Sequence, residues 1–250
     1  MWSSKFYLLI LMWNDVVDLR DFYEGDLGHV ARRMIGREIR LLWPDLRGQS
    51  VLGLGFATPY LRALQQDAER VVAVMPAGSG VLAWPPGERS LVCLAEEDEL
   101  PLPDRSVDRV LMVHALESTE HVRSTLREAW RVLADGGKLL VVTPNRRGLW
   151  AQLDRTPFGQ GRPYTQGQLH RLLRDTMFTP EGTGTALFVP PFRSRFVLRS
   201  AMAWENLGQR WFPTLAGAVM VQASKQIYGG SRVEVGVKAR RYLPVPGGLR

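Results

Sequence analysis

The chain has 250 residues, 45% of them apolar, which is ample for one large packed domain and excludes a largely disordered chain. Thirty-two basic against 25 acidic residues leave a net charge of +7, which favours anionic partners without naming one. The single cysteine, Cys93, excludes an intrachain disulfide, and His29, His114, His121 and His170 lack metal-ligand spacing, so a reduced, cytoplasmic setting without a metal is expected.

At the amino terminus Phe6 to Trp13 is an apolar run too short to span a bilayer, without an Ala-x-Ala-like cleavage site, and Met12 offers an alternative start. Between Val16 and Trp43, Leu19, Phe22, Tyr23, Leu27, Val30, Met34, Ile35 and Ile39 recur at helical spacing, predicting one or two amphipathic helices closed by Pro44. Ser50 to Leu54 reads as a buried strand, Pro59 to Gln66 as a helix start and Val71 to Met75 as a second strand. Strand, glycine turn, helix and strand form a βαβ unit, which implies a parallel sheet.

The alternation continues with strands at Ser90 to Leu94, Arg109 to His114 and Lys138 to Thr143. Between the last two, Val122, Leu126, Ala129, Trp130 and Leu133 share a helical face, with Gly136-Gly137 as a helix stop. Pro144 to Tyr164 reads as a long functional loop, Thr165 to Asp175 as a helix, Phe178 to Val189 as extended, Ser194 to Gly208 as helical and Ala218 to Ile227 as a final strand. The expected organisation is a helical segment over 1–44, a doubly wound α/β domain over 45–241 with a mostly parallel seven-stranded sheet and helices on both faces, and a flexible tail over 242–250.

In such a sheet ligands sit beyond the carboxyl ends of the strands, where the Val51-Leu-Gly-Leu-Gly-Phe-Ala57 turn falls. Three further segments follow in order: Leu100-Pro-Leu-Pro-Asp-Arg-Ser-Val-Asp108, the strand ending at His114, and Arg127-Glu-Ala-Trp-Arg-Val-Leu-Ala-Asp-Gly-Gly-Lys-Leu139. Together they resemble class I S-adenosylmethionine-dependent methyltransferases, especially the group that includes the ubiquinone and menaquinone biosynthesis enzymes. The resemblance covers residues 45 to 145, and the rest follows by topology.

The resemblance implies S-adenosyl-L-methionine as cofactor, held by Gly53, Gly55, Phe56 and Ala57, with Met75 at the ribose, Glu96 or Glu97 at the adenine, and His114 beside the methionine moiety. Two departures stand out: Gly53 replaces the family's acid, and Met75 stands where a ribose-binding carboxylate is usual. Loss of that charge-assisted pair weakens binding by roughly ten- to a hundredfold, about 1.5–3 kcal/mol.

For an oxygen or nitrogen acceptor, His114 is suited to proton removal, the alternative being a strand-end histidine bonded to backbone. Phe22 and Tyr23 are candidates to close over the cofactor through a cation–π contact, or to be core. Arg146, Arg147, Trp150 and Tyr164 on the long loop are candidate contacts for an anionic small-molecule acceptor.

A second reading is a catalytically inactive descendant that binds a protein or RNA through the basic carboxyl-terminal part, where 193–250 holds ten Lys or Arg against two acids. An NAD-dependent oxidoreductase fits less well, since residues 53 to 58 lack its third glycine and the second strand ends in methionine.

Overall fold

The computed structural model of the protein describes residues 15–192 and 194–227. The apolar run at 6–13, the alternative start and the tail at 242–250 lie outside the described residues.

Asp15 caps α1 (Val16–Glu24), its carboxylate accepting from the Val17 amide at 2.8 Å. Gly25 ends α1 and opens α2 (Asp26–Leu42), and the corner is so tight that a Cβ on Gly28 would overlap the Phe22 carbonyl. Leu27, Val30, Met34, Ile35 and Ile39 turn inward along α2 and its arginines turn to solvent.

The βαβ unit follows as β1 (Ser50–Gly55), α3 (Thr58–Leu64) and β2 (Arg70–Pro76). Then come β3 (Val92–Ala95), β4 (Val107–Val113), α4 (Val122–Val132), β5 (Leu133–Pro144), α5 (Gln166–Asp175), β6 (Phe178–Ala186), α6 (Arg195–Arg199), α7 (Ala201–Trp211) and β7 (Ala218–Lys225). The sheet runs β3-β2-β1-β4-β5-β7-β6, parallel from β3 to β5, with β7 antiparallel to both of its neighbours. Its direction of progression reverses between β1 and β4, the switch point where ligands bind in open α/β sheets.

One core, with Met34, Ile35, Leu61 and Tyr23, packs α1, α2 and α3 on one face of the sheet. The other, with Leu126, Val132, Leu169 and Phe178, packs α4 and α5 on the opposite face. Helices therefore cover both faces, as the alternating pattern predicts.

One expectation needs correction. The helix before β5 stops at Val132 rather than at the glycine pair, because Leu133 already pairs with Val107 in the sheet. The stretch 144–165 is a long connection, packed down on the core. Short 3₁₀ turns at Leu149–Gln152 and Pro157–Gly159 fold it down, and the Trp150 indole N–H donates to the Val189 carbonyl at 2.8 Å.

The two most family-like segments clamp each other. Arg131 on α4 donates to the carbonyls of Leu100 (3.0 Å) and Leu102 (2.9 Å) and to the Asp104 carboxylate (2.7 Å). Glu128, held by Arg131 at 2.8 Å, accepts from the Leu100 amide at 3.0 Å. The motif thus fixes the loop that leads into β4. Loss of these charge-assisted bonds in Arg131→Ala is expected to cost about 2 kcal/mol, a fall of roughly 4–8 °C in Tm. A Tm within 1 °C of wild type, by calorimetry, would show that the clamp is dispensable.

Candidate functional site

At the switch point the chain turns sharply out of β1. Gly55 has φ 81°, and a Cβ there would overlap the Val113 carbonyl oxygen. That carbonyl accepts from the Phe56 amide at 2.8 Å, so the turn sits directly on the end of β4. At Gly53 a Cβ would lie 2.6 Å from Leu61 Cδ1 and 2.9 Å from Ala57 Cβ, so a side chain there would need Leu61 to shift. The family's acid has no space in the packing of α3 against β1 as it stands.

His114 follows β4 at φ 51°, a left-handed conformation that is uncommon for a residue with a side chain. Its ring is bonded at both nitrogens. Nδ1 lies 3.1 Å from Glu117 Oε1 and Nε2 lies 2.9 Å from the Tyr23 hydroxyl, which is in turn 2.9 Å from the Tyr60 hydroxyl. Burial, and then the neighbouring Tyr60, hold the Tyr23 phenol well above its ordinary range, and burial likewise raises that of Tyr60. Both phenols are therefore donors. With a carboxylate at Nδ1, the consistent arrangement is Nδ1–H donating to Glu117 and Nε2 accepting from Tyr23, which accepts from Tyr60. Glu117 thus fixes the tautomer in which Nε2 is the accepting nitrogen toward the Tyr23 hydroxyl position. Its second oxygen, Oε2, is buried without a hydrogen-bond partner.

An aromatic cluster packs around this chain. Tyr23 stacks on Phe56 at 5.7 Å and meets Phe22 edge-on at 5.1 Å; Phe158 meets His114 at 4.9 Å and Trp150 at 5.5 Å. Tyr23, Phe56, Ala57, Met75 and His114 are all buried, so side chains fill the crevice at the switch point.

The sequence-based candidates divide accordingly. Tyr23, Gly53, Gly55, Phe56, Ala57 and His114 converge. Met75 sits buried at the end of β2, its sulfur accepting from the Leu82 amide at 3.4 Å. Glu96 is exposed after β3 and Glu97 is buried beside it. Arg146 and Tyr164 line a separate cleft of about 510 Å³ with Arg123 and Arg162. Arg147 is exposed and outside that cleft, and Trp150, 1% exposed, is core rather than an acceptor contact. Of the expected basic carboxyl-terminal surface, Arg193 and everything beyond 227 lie outside the described residues. Sequence reasoning assigned no role to Glu117 or Tyr60, although His114-x-x-Glu117 is a visible spacing. Among the described residues no helix is long and apolar enough to cross a membrane, and no cluster of His, Cys, Asp or Glu could hold a metal ion.

The sheet order, the reversed seventh strand and the glycine turn are those of the Rossmann-like fold of class I S-adenosylmethionine-dependent methyltransferases. Within it, residues 50–141 match the family model described as a methyltransferase domain. The chain is 30% identical over 118 residues to the uncharacterised protein Rv2003c of Mycobacterium tuberculosis, a match over 44% of this chain and 41% of that one. It thus covers about two fifths of the length of the curated relatives it matches. Among solved structures, an S-adenosylmethionine-dependent methyltransferase of Thermotoga maritima, a possible histamine N-methyltransferase, aligns with TM-score 0.61 and 19% identity over 84% of this chain and 96% of that one. The 1,6-didemethyltoxoflavin-N1-methyltransferase of Burkholderia thailandensis, solved with its acceptor and S-adenosylhomocysteine, aligns with TM-score 0.52 and 16% identity over 91% and 92%. At these identities the solved structures establish the fold.

The Gly55 turn, where only a glycine fits, and the unpaired Glu117 oxygen at the switch point both suit a nucleotide-type cofactor with polar atoms. No carboxylate stands at the end of β2 to receive a ribose, and the ring cluster must open before anything enters.

Glu117→Ala leaves the His114 N–H without an acceptor in a buried site and is expected to cost about 1–3 kcal/mol. The His114→Ala/Glu117→Ala pair should cost clearly less than the sum of the single changes. Strict additivity in urea denaturation would mean the two groups do not act as a unit.

Proposed function

We propose that this chain transfers the methyl group of S-adenosyl-L-methionine to a small, anionic acceptor, with His114 as the group that takes the acceptor's proton. The observation that carries this reading is the directed chain from Tyr60 through Tyr23 and His114 to Glu117, set against the Gly55 turn at the switch point.

When bound, the cofactor supplies a methyl group on a sulfonium, an already activated carbon. What the protein adds is alignment, exclusion of water and management of one proton. The Gly55–Ala57 turn offers backbone approach, and Glu97 and Glu96 after β3 are the carboxylates nearest the expected adenine end. Glu117 keeps the His114 Nε2 lone pair free and stabilises the ring once it has gained a proton. The acceptor takes the place of the Tyr23 hydroxyl at Nε2. The cleft lined by Arg146, Arg123, Arg162 and Tyr164 supplies cations for a carboxylate or phosphate on the acceptor.

In the closed arrangement Tyr23 blocks its own site, and α1 must swing away at Gly25 to admit ligands. Opening is part of the binding free energy, so weakening the latch should strengthen binding. Tyr23→Phe removes the bond to His114, about 1 kcal/mol, and is expected to lower the Kd for S-adenosylmethionine roughly fivefold in calorimetric titration. Gly55→Val should abolish binding. A Tyr23→Phe protein that binds more weakly than wild type would show that Tyr23 holds the cofactor instead of latching the site. No heat from either cofactor form at millimolar concentration would overturn the enzyme reading.

A further inference from the structure

A second site lies on the outside of the helical layer, where Tyr60 alone of the hydrogen-bonded chain to His114 reaches its lining. α2 and α3 are separated by a groove of about 1040 Å³ lined by His29, Arg32, Arg33, Arg37 and Arg40 on one wall and Arg62 on the other. All six side chains are exposed. Arg40 pairs with Asp67 at 3.7 Å and Arg37 acts electrostatically on the buried Glu205 carboxyl, while Arg32, Arg33 and Arg62 make no ion pair among the described residues. Arg33 and Arg37 are one helical turn apart, where like charges repel and weaken a helix. The concave arrangement concentrates positive potential where an anion would sit. A smaller depression lined by Asp26, His29, Arg33, Leu198 and Arg199 adjoins it and adds one more guanidinium to the line.

The dimensions select the kind of anion. Arg33 and Arg40 are about 10 Å apart along the helix axis, from the rise of 1.5 Å per residue, too far for one phosphate and suited to successive phosphates of a strand. The cations line two walls of a concave channel, which receives a strand better than a flat bilayer surface does. Guanidinium planes bind phosphate oxygens in pairs and also stack on unpaired bases.

We propose that the groove between α2 and α3 binds the phosphate backbone of a single-stranded nucleic acid. This is independent of methyl transfer at His114 and survives if that reading fails.

The test is fluorescence anisotropy with a labelled single-stranded RNA 12-mer across a salt series. Four phosphate contacts predict a slope of log K against log salt near −3, from about 0.7 per contact on single strands. Arg33→Glu/Arg37→Glu should weaken binding at least thirtyfold and reduce the slope by about 1.4, the share of two contacts. Arg127→Glu/Arg171→Glu, the same charge change on exposed residues of α4 and α5, should alter binding less than threefold, with both proteins keeping the wild-type Tm. Equal losses from the two pairs would mean only general attraction to a basic protein and would overturn the site. So would absent RNA binding, or equal affinity for polyglutamate or for phosphatidylserine vesicles, which would indicate an acidic protein or a lipid surface instead.

Discussion

The contact between the turn after β1 and the last carbonyl of β4 governs the rest of this molecule. Because the Phe56 amide reaches the Val113 oxygen at 2.8 Å, the Gly55 backbone and the His114 side chain are forced into one small volume. The fold brings the two strands side by side in parallel register, with Gly55 opposite Val113. Everything placed at the switch point must then arrive from elsewhere in the chain: Tyr23 from α1, Tyr60 from α3, Phe158 from the segment after β5. The site is assembled by topology around one glycine without a Cβ.

That geometry bears on where the chain departs from the methyltransferase pattern it resembles. A side chain at Gly53 would require Leu61 of α3 to shift. At the end of β2, Met75 is buried and its sulfur accepts from the Leu82 amide, so the position serves packing and the loop that follows. His114, named from the sequence, and Glu117, which was not, are the polar pair buried at the switch point.

The strands from β1 to β5 were legible because parallel strands are short apolar runs set off by turn residues, and the helix expected from Thr165 is α5, which the structure caps with a Thr165–Gln168 capping box. The doubly wound class followed from that alternation. Contacts between residues distant in the chain were not legible. Trp150 lies in an Arg-rich stretch and reads as an acceptor contact, yet its indole closes the core against Val189. Tyr23 reads equally as core or as a lid, and it is buried while its hydroxyl engages the candidate base. The arginines of α2 were visible as letters, but only the position of α3 turns an exposed helix face into a channel.

The aromatic cluster has a thermodynamic consequence. A protein that kept a cofactor-sized hollow would forfeit the dispersion contacts of its lining. Here Tyr23 stacks on Phe56, and Phe158 packs against His114 and Phe22, in that space. Binding then exchanges one set of apolar contacts for another and buries little net apolar surface, so the heat-capacity change on cofactor binding should be small. Affinity at this site becomes a competition between two occupants, one of them part of the chain.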